Sequence, residues 1–319
     1  MTGTSNEFAF MAESKMKIEY ALPKRVLTNA ELVRLFPEWT EEKIFAKTGI
    51  SSRHVADEHE DALDLATAAC RKLLAADDVE SVDFILLCTQ SPRYRLPSTA
   101  CLLQQRLGIP SLAGALDFDL GCSGFVYGLA MAKGLVAGGM AKKVLLVTAE
   151  TYTKYVDAAD KSTRTIFGDG AAATLVDADT AGRIGAFSFG TDGSGAEKLI
   201  VKPGGKLSMD GPEIFNFTLD VVPKTMDDVC AKNDVSRDDI DLFVFHQANK
   251  FMLDTIRKVN AIPPEKFYVN LEDTGNTVSS TIPIALKRAE VEGRLRAGMK
   301  VMVVGFGVGL SWGGTILQY

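Results

Sequence analysis

The sequence predicts an α/β protein built from two similar halves related by a pseudo-twofold axis. Short runs rich in Val, Ile and Leu alternate with longer stretches of helical periodicity, the pattern of strands covered by helices. The second half then repeats the order of the first: "IDLFVFHQ" echoes "VDFILLCT", and "KVMVVGFG" echoes "KVLLVTAE". The repeat is nearly constant, with Val82 matching Ile240, Ser123 matching Thr277 and Lys143 matching Lys300 at offsets of 158, 154 and 157 positions.

The elements follow in order. Residues 1–15 have no basic start leading into an apolar core, so they read as a poorly ordered leader and not as an export signal. The first half is assigned to residues 16–180. Its "VDFILLCT" (82–89) is a short run rich in apolar residues and reads as a buried strand. Ser98 is placed to cap the helix "TACLLQQRLG", and "ALDFDL" (115–120) is a strand. The stretch 123–139 is apolar on nearly every side of a helix, hence buried. "KKVLLVTAE" and "GAAATLVDAD" are strands. The pattern breaks near residues 178–185, and the second half is assigned to 181–319.

Composition narrows the function. Hydrophobic residues make up 46% and charged residues 24% of the 319, as in an ordinary globular chain. A net charge of −6 argues against a nucleic-acid surface, and no apolar run is long enough for a membrane span. Five cysteines without C-x-x-C spacing are expected as reduced thiols in a cytoplasmic protein, with Cys70, Cys88, Cys101 and Cys230 in the core. The three histidines form no metal-like cluster, so no metal site is expected.

The chemistry centres on "DLGCSGFVYGLAMAKG" (119–134). Cys122 stands between a strand and a helix. There the unpaired N–H groups and dipole of the helix start would stabilise a thiolate, lowering the thiol pKa. Taken alone, the stretch slightly favours a buried structural cysteine. His246 ends an apolar strand, and Asn276 follows a glycine just before a helix, where asparagine is an ordinary cap. The duplication nevertheless puts all three at matching ends of the two halves, where α/β proteins place ligand sites. "GFGVGLSWGG" leads into a strand, so it is not a dinucleotide loop, and the aspartate of "FGDG" (167–170) reads as structural.

Several motifs now stand in one order: "YALPKRVLTNAEL", "TGISSRHVA", "LPSTACLLQ", "GCSGFVYGL", "IFGDGAAATLV", "HQAN", "GNTVSSTIPIAL" and "GFGVGLSWG". The sequence resembles the β-ketoacyl-acyl carrier protein synthase III family of thiolase-fold condensing enzymes, over nearly all of the chain after Met16. The resemblance implies a five-layered αβαβα fold, a homodimer and a catalytic triad of Cys122, His246 and Asn276. It implies that Cys122 takes an acyl group from acyl-CoA or an acyl carrier, and that malonyl-acyl carrier protein then loses CO₂ and condenses with it. His246 and Asn276 would be donors to the enolate, and the backbone N–H groups of Cys122 and Val308 would form the oxyanion hole. No permanently bound cofactor is implied.

Some positions depart from the family pattern. Val308 stands where a glycine is usual. Leu96 replaces a phenylalanine that closes the partner subunit's acyl pocket, which implies a longer pocket. Lys43 and Lys161 align with a tryptophan and an arginine that clamp adenine, with Trp39 as a possible substitute aromatic. Phe251 replaces a docking arginine. Lys43, Lys47, Lys161, Lys250, Arg257 and Lys258 could together supply positive charge for coenzyme A or a carrier. Rival readings are an acyltransferase or non-decarboxylating condensing enzyme, a silent acyl-binding dimer partner, and a cysteine hydrolase.

Overall fold

The computed structural model describes residues 16–74 and 79–319, so the leader assigned to residues 1–15 lies outside the described residues. The strands are β1 (Ile18–Ala21), β2 (Val26–Thr28), β3 (Ser52–His54), β4 (Phe84–Cys88), β5 (Gly114–Phe118), β6 (Lys143–Glu150), β7 (Gly170–Asp177), β8 (Ser188–Thr191), β9 (Leu199–Val201), β10 (Leu207–Met209), β11 (Leu242–Phe245), β12 (Lys300–Gly307) and β13 (Ser311–Gln318). The α-helices are α1 (Asn29–Leu35), α2 (Glu41–Thr48), α3 (Ala62–Leu73), α4 (Thr99–Leu107), α5 (Gly124–Ala137), α6 (Lys161–Arg164), α7 (Ala178–Gly182), α8 (Gly211–Lys232), α9 (Lys250–Val259) and α10 (Thr281–Val291).

Two sheets carry the fold. The first has the order β1-β7-β6-β4-β5 and the second β11-β12-β13-β8. The first sheet has two parallel pairs (β5 with β4, β4 with β6) followed by two antiparallel pairs, and the second has one parallel pair (β11 with β12) followed by two antiparallel pairs. The duplication reaches single residues. Asp83 accepts from the backbone N–H groups of Lys142 and Lys143, and its counterpart Asp241 accepts from that of Lys300. β5 has no full counterpart; an isolated parallel bridge between Phe243 and Phe267 stands at that edge.

The layers run α3 and α4, first sheet, α5 and α10, second sheet, then α8 and α9. This is the five-layered αβαβα arrangement of the thiolase fold. Helices α5 and α10 touch both sheets, which is why the sequence of α5 is apolar almost all round. Their packing against the two sheets forms the central core around Phe125, Leu129, Val144, Ile282, Leu286 and Val303.

Two local expectations are corrected. Ser98 is the N-cap residue of α4 but does not cap it, because its hydroxyl turns to the Cys101 sulfur at 3.1 Å. Asp117, from the neighbouring strand β5, takes the N–H groups of Thr99 and Ala100 at 2.5 and 2.6 Å. A cap from another strand has no local sequence signal. Cys101 is exposed, since α4 buries Ala100 and Leu103 and turns Cys101 outward. The other four cysteines are buried, and all five are free thiols.

Candidate active site

Cys122 lies in the turn between β5 and α5, two residues before the helix, and is 6% exposed. The turn presses against β12 so closely that glycine is required there. A Cβ on Gly307 would stand 2.9 Å from the Cys122 Cβ and 3.0 Å from its sulfur. One on Gly305 would stand 2.7 Å from the Cys122 carbonyl oxygen. We expect Gly307→Ala to displace the sulfur and cut the rate of Cys122 acylation at least tenfold, measured by intact mass against time.

The backbone N–H groups of Cys122 and Val308 are the neighbours that favour the thiolate. They hold its pKa down, as the helix start was expected to do, but they do not win. Burial pushes the thiol up to about 12, with the nearby Glu150 charge acting in the same direction. The expected low-pKa thiolate is therefore corrected: the resting group is a thiol. Alkylation of Cys122 by iodoacetamide, followed on its own peptide to separate it from exposed Cys101, should climb steadily from pH 6 to pH 9 without levelling.

His246 follows β11, with its N–H on the Val304 carbonyl of β12 at 2.9 Å. The ring is 2% exposed and meets Phe306 edge-on, centroids 5.5 Å apart. Its Nδ1 lies 2.7 Å from the Thr281 hydroxyl. Burial lowers its pKa to about 3, so the imidazole is neutral. Of the rest of "HQAN", Ala248 and Asn249 line the same cavity as His246. Gln247 ties the end of β11 to Phe245, Tyr268 and Asn270, and Asn249 caps α9 through the Met252 N–H.

Asn276 is held at both ends of its peptide by the 166–168 segment: its N–H donates to Ile166, and its carbonyl accepts from Gly168. The two loops touch, since a Cβ on Gly168 would stand 2.2 Å from the Thr274 carbonyl oxygen. Its side chain does not cap a helix. Oδ1 accepts from the Val278 N–H at 2.8 Å, which leaves the Nδ2 hydrogens to face outward as donors. Val278 adopts φ +56°, a strained conformation for a β-branched residue.

A single cavity of about 630 Å³ brings these groups together. Cys122, His246, Asn276, Phe306 and Gly307 line it, and Lys47, Phe215 and Phe251 lie along its rim, with Phe251 61% exposed and stacked on Phe215 at 5.4 Å. The other predicted binding residues divide. Lys43, Lys47 and Lys161 gather around Trp39, their ammonium groups 5.2, 5.3 and 6.0 Å from its ring centroid. Lys161 also pairs with Glu38.

Lys250, Arg257 and Lys258 do not line the cavity. Lys250 pairs with Asp254, and Arg257 is half-buried with its guanidinium on the Ile262 carbonyl. Leu96 is 80% exposed in the single chain and does not line that chain's own cavity, because its loop runs over the outside.

Beneath the site lies Glu150, a residue the sequence reading passed over although a carboxylate closing an apolar strand is a visible signal. It is fully buried and accepts from the Gln90 N–H and the hydroxyls of Ser91 and Ser279. Burial outweighs those donors and raises its pKa to about 8. The folded protein thus keeps this proton to about pH 8, whereas the unfolded chain releases it near 4.5. Stability from this group is full below the lower value and falls as pH rises through the upper one, by on the order of a few kcal/mol. The melting temperature should drop between pH 5 and pH 9, and Glu150→Gln should flatten that slope. Asp169 of "FGDG" is also fully buried. It accepts from the N–H groups of Ala56 and Thr153 and from the Thr153 hydroxyl, so its role is structural, as expected.

Two stacked sheets with a cysteine at one matching end and a neutral histidine and an oriented amide at the other define a thiolase-fold condensing enzyme. The chain belongs to the β-ketoacyl-[acyl-carrier-protein] synthase III family and is an enzyme of the acyl-transferring, condensing class. Residues 116–193 match the model of 3-oxoacyl-[acyl-carrier-protein] synthase III, and residues 230–319 match that of its C-terminal part.

The chain is similar to β-ketoacyl-[acyl-carrier-protein] synthase III 2 of Halalkalibacterium halodurans, with 37% identity over 93% of this chain and 94% of that one. Among solved structures, a 3-oxoacyl-(acyl-carrier-protein) synthase III superposes with TM-score 0.92 at 49% identity, covering 95% of this chain and 98% of that one. The priming β-ketosynthase of the R1128 polyketide pathway superposes with TM-score 0.87 at 30% identity, covering 94% of each. No helix among the described residues is long and apolar enough to cross a membrane.

Proposed function

We propose that this protein joins an acyl thioester to malonyl-acyl carrier protein by decarboxylative condensation through an acyl-Cys122 intermediate. The observation that carries this is the meeting of Cys122, His246 and Asn276 in one largely apolar cavity. In the first half-reaction the sulfur attacks the thioester carbonyl. The N–H groups of Cys122 and Val308 hold the oxyanion, and the thiol proton ends on the departing thiol. In the second, the malonyl C–C bond breaks and CO₂ leaves. The Nε2–H of His246 and the Nδ2–H of Asn276 hold the enolate oxygen while its carbon attacks the acyl-cysteine. Released Cys122 thiolate takes a proton from solvent. Both steps are acyl transfers and call for no resident cofactor.

The Trp39 cluster supports coenzyme A as the first donor. A flat indole ringed by three ammonium groups suits an adenine ring and its phosphates, and Lys47 joins that cluster to the cavity rim. A homodimer fits the open edge of β5. Leu116 on this strand is 40% exposed, and the nearby Leu112 and Leu96 are exposed as well. In that arrangement Leu96 would meet the second copy's acyl pocket.

The test is sequential. Incubation with acyl-CoA should add one acyl mass to the Cys122 peptide, and malonyl-acyl carrier protein should then discharge it as a 3-oxoacyl carrier with release of CO₂. An adduct that is passed to water or another acceptor without a new C–C bond would favour the hydrolase or simple acyltransferase reading instead.

A further inference from the structure

We propose that Thr281 is a positioning residue that fixes which nitrogen of His246 carries the proton. The inference rests on the decarboxylative reading, in which His246 must present an N–H to the enolate. A neutral imidazole has one N–H and one bare nitrogen, and its partners decide which is which. The cavity-facing nitrogen is an N–H only if Nδ1 is bare and accepts a hydrogen bond.

Nδ1 meets the Thr281 hydroxyl at 2.7 Å, with both residues buried. A carboxylate or a carbonyl at that point would force the proton onto Nδ1 and leave Nε2 facing the enolate with a lone pair. A hydroxyl can donate. The same hydroxyl lies 3.1 Å from the Val278 carbonyl and could donate there, but that carbonyl already accepts the Thr281 backbone N–H, which leaves the single hydroxyl hydrogen for the ring nitrogen. Thr281 opens α10 directly after the short 3-10 turn Val278–Ser280, so the strained turn that pins Asn276 also sets this hydroxyl. One turn therefore orients both donors: the Val278 N–H fixes the Asn276 amide, and the Thr281 O–H fixes the His246 tautomer.

The experiment has two parts. In the whole enzyme labelled with ¹⁵N-histidine, the His246 signals, assigned by their absence in His246→Ala, should show a protonated Nε2 and a bare Nδ1. A protonated Nδ1 would overturn the proposal without reference to activity. In single-turnover assays Thr281→Val, which keeps the shape and removes the hydroxyl, should slow malonyl decarboxylation at least tenfold and leave Cys122 acylation within about twofold. Thr281→Ser should recover most of the loss. Unchanged decarboxylation in Thr281→Val, an equal loss of both half-reactions, or failure of Ser to rescue would each overturn it. Failure of the wild-type enzyme to condense at all would sink the functional reading instead, and the tautomer would still be readable.

Discussion

Cys122→Ala is expected to take up no acyl group from acyl-CoA while keeping its fold. Cys122 is the one cysteine among the described residues that line the cavity, and the backbone N–H groups of Cys122 and Val308 favour its thiolate. The other buried thiols, Cys70, Cys88 and Cys230, are pushed up by burial and do not line the cavity. Cys101 is exposed but lies on α4, outside the cavity wall. Alanine fits the turn before α5 without asking more room of Gly307, so the melting temperature should move by about 2–4 °C at most. Intact mass after incubation with acyl-CoA and a thermal melt read both halves of the expectation. Persistent acylation of the variant would move the nucleophile elsewhere; loss of the cooperative melt would make Cys122 a packing residue first.

The fold was legible because its duplication is written in periodicity. Buried strands read as continuous apolar runs, and the matching of Asp83 with Asp241 follows from the same offset. The meeting of Cys122, His246 and Asn276 in one cavity was legible for the same reason, since the duplication puts them at matching ends of the two halves. What escaped depends on contacts distant in sequence. Thr281 bonds to a ring 35 positions away, and Glu150 receives a hydroxyl from Ser279 at a separation of 129. The cap on α4 comes from Asp117 on another strand. The Cys122 thiol was misread because a helix start is local and visible, while burial is a sum over the whole fold and dominates the outcome.

The sharpest division expected is between the two half-reactions in variants of the donor pair. Asn276→Ala removes an amide whose oxygen is already tied to the Val278 N–H, so what is lost is the Nδ2–H donor facing the cavity. His246→Ala removes a ring that is neutral at working pH, and so a hydrogen-bond donor and not a cation. Neither side chain is among the groups that favour the Cys122 thiolate in the resting site; that task belongs to the N–H groups of Cys122 and Val308, which both variants keep. Malonyl decarboxylation should therefore fall about 10²–10³-fold in each single variant, the cost of removing one donor from a developing oxyanion. Acylation of Cys122 should stay within a few-fold of wild type. The double variant should lose less than the product of the two, because both donors serve one oxygen atom and act as a unit. Rapid-quench measurement of acyl-Cys122 formation beside CO₂ release from malonyl-acyl carrier protein separates the steps. If acylation collapses in step with decarboxylation in His246→Ala, the imidazole is the base that takes the thiol proton, and the neutral-donor role argued from its burial and its Thr281 partner is wrong.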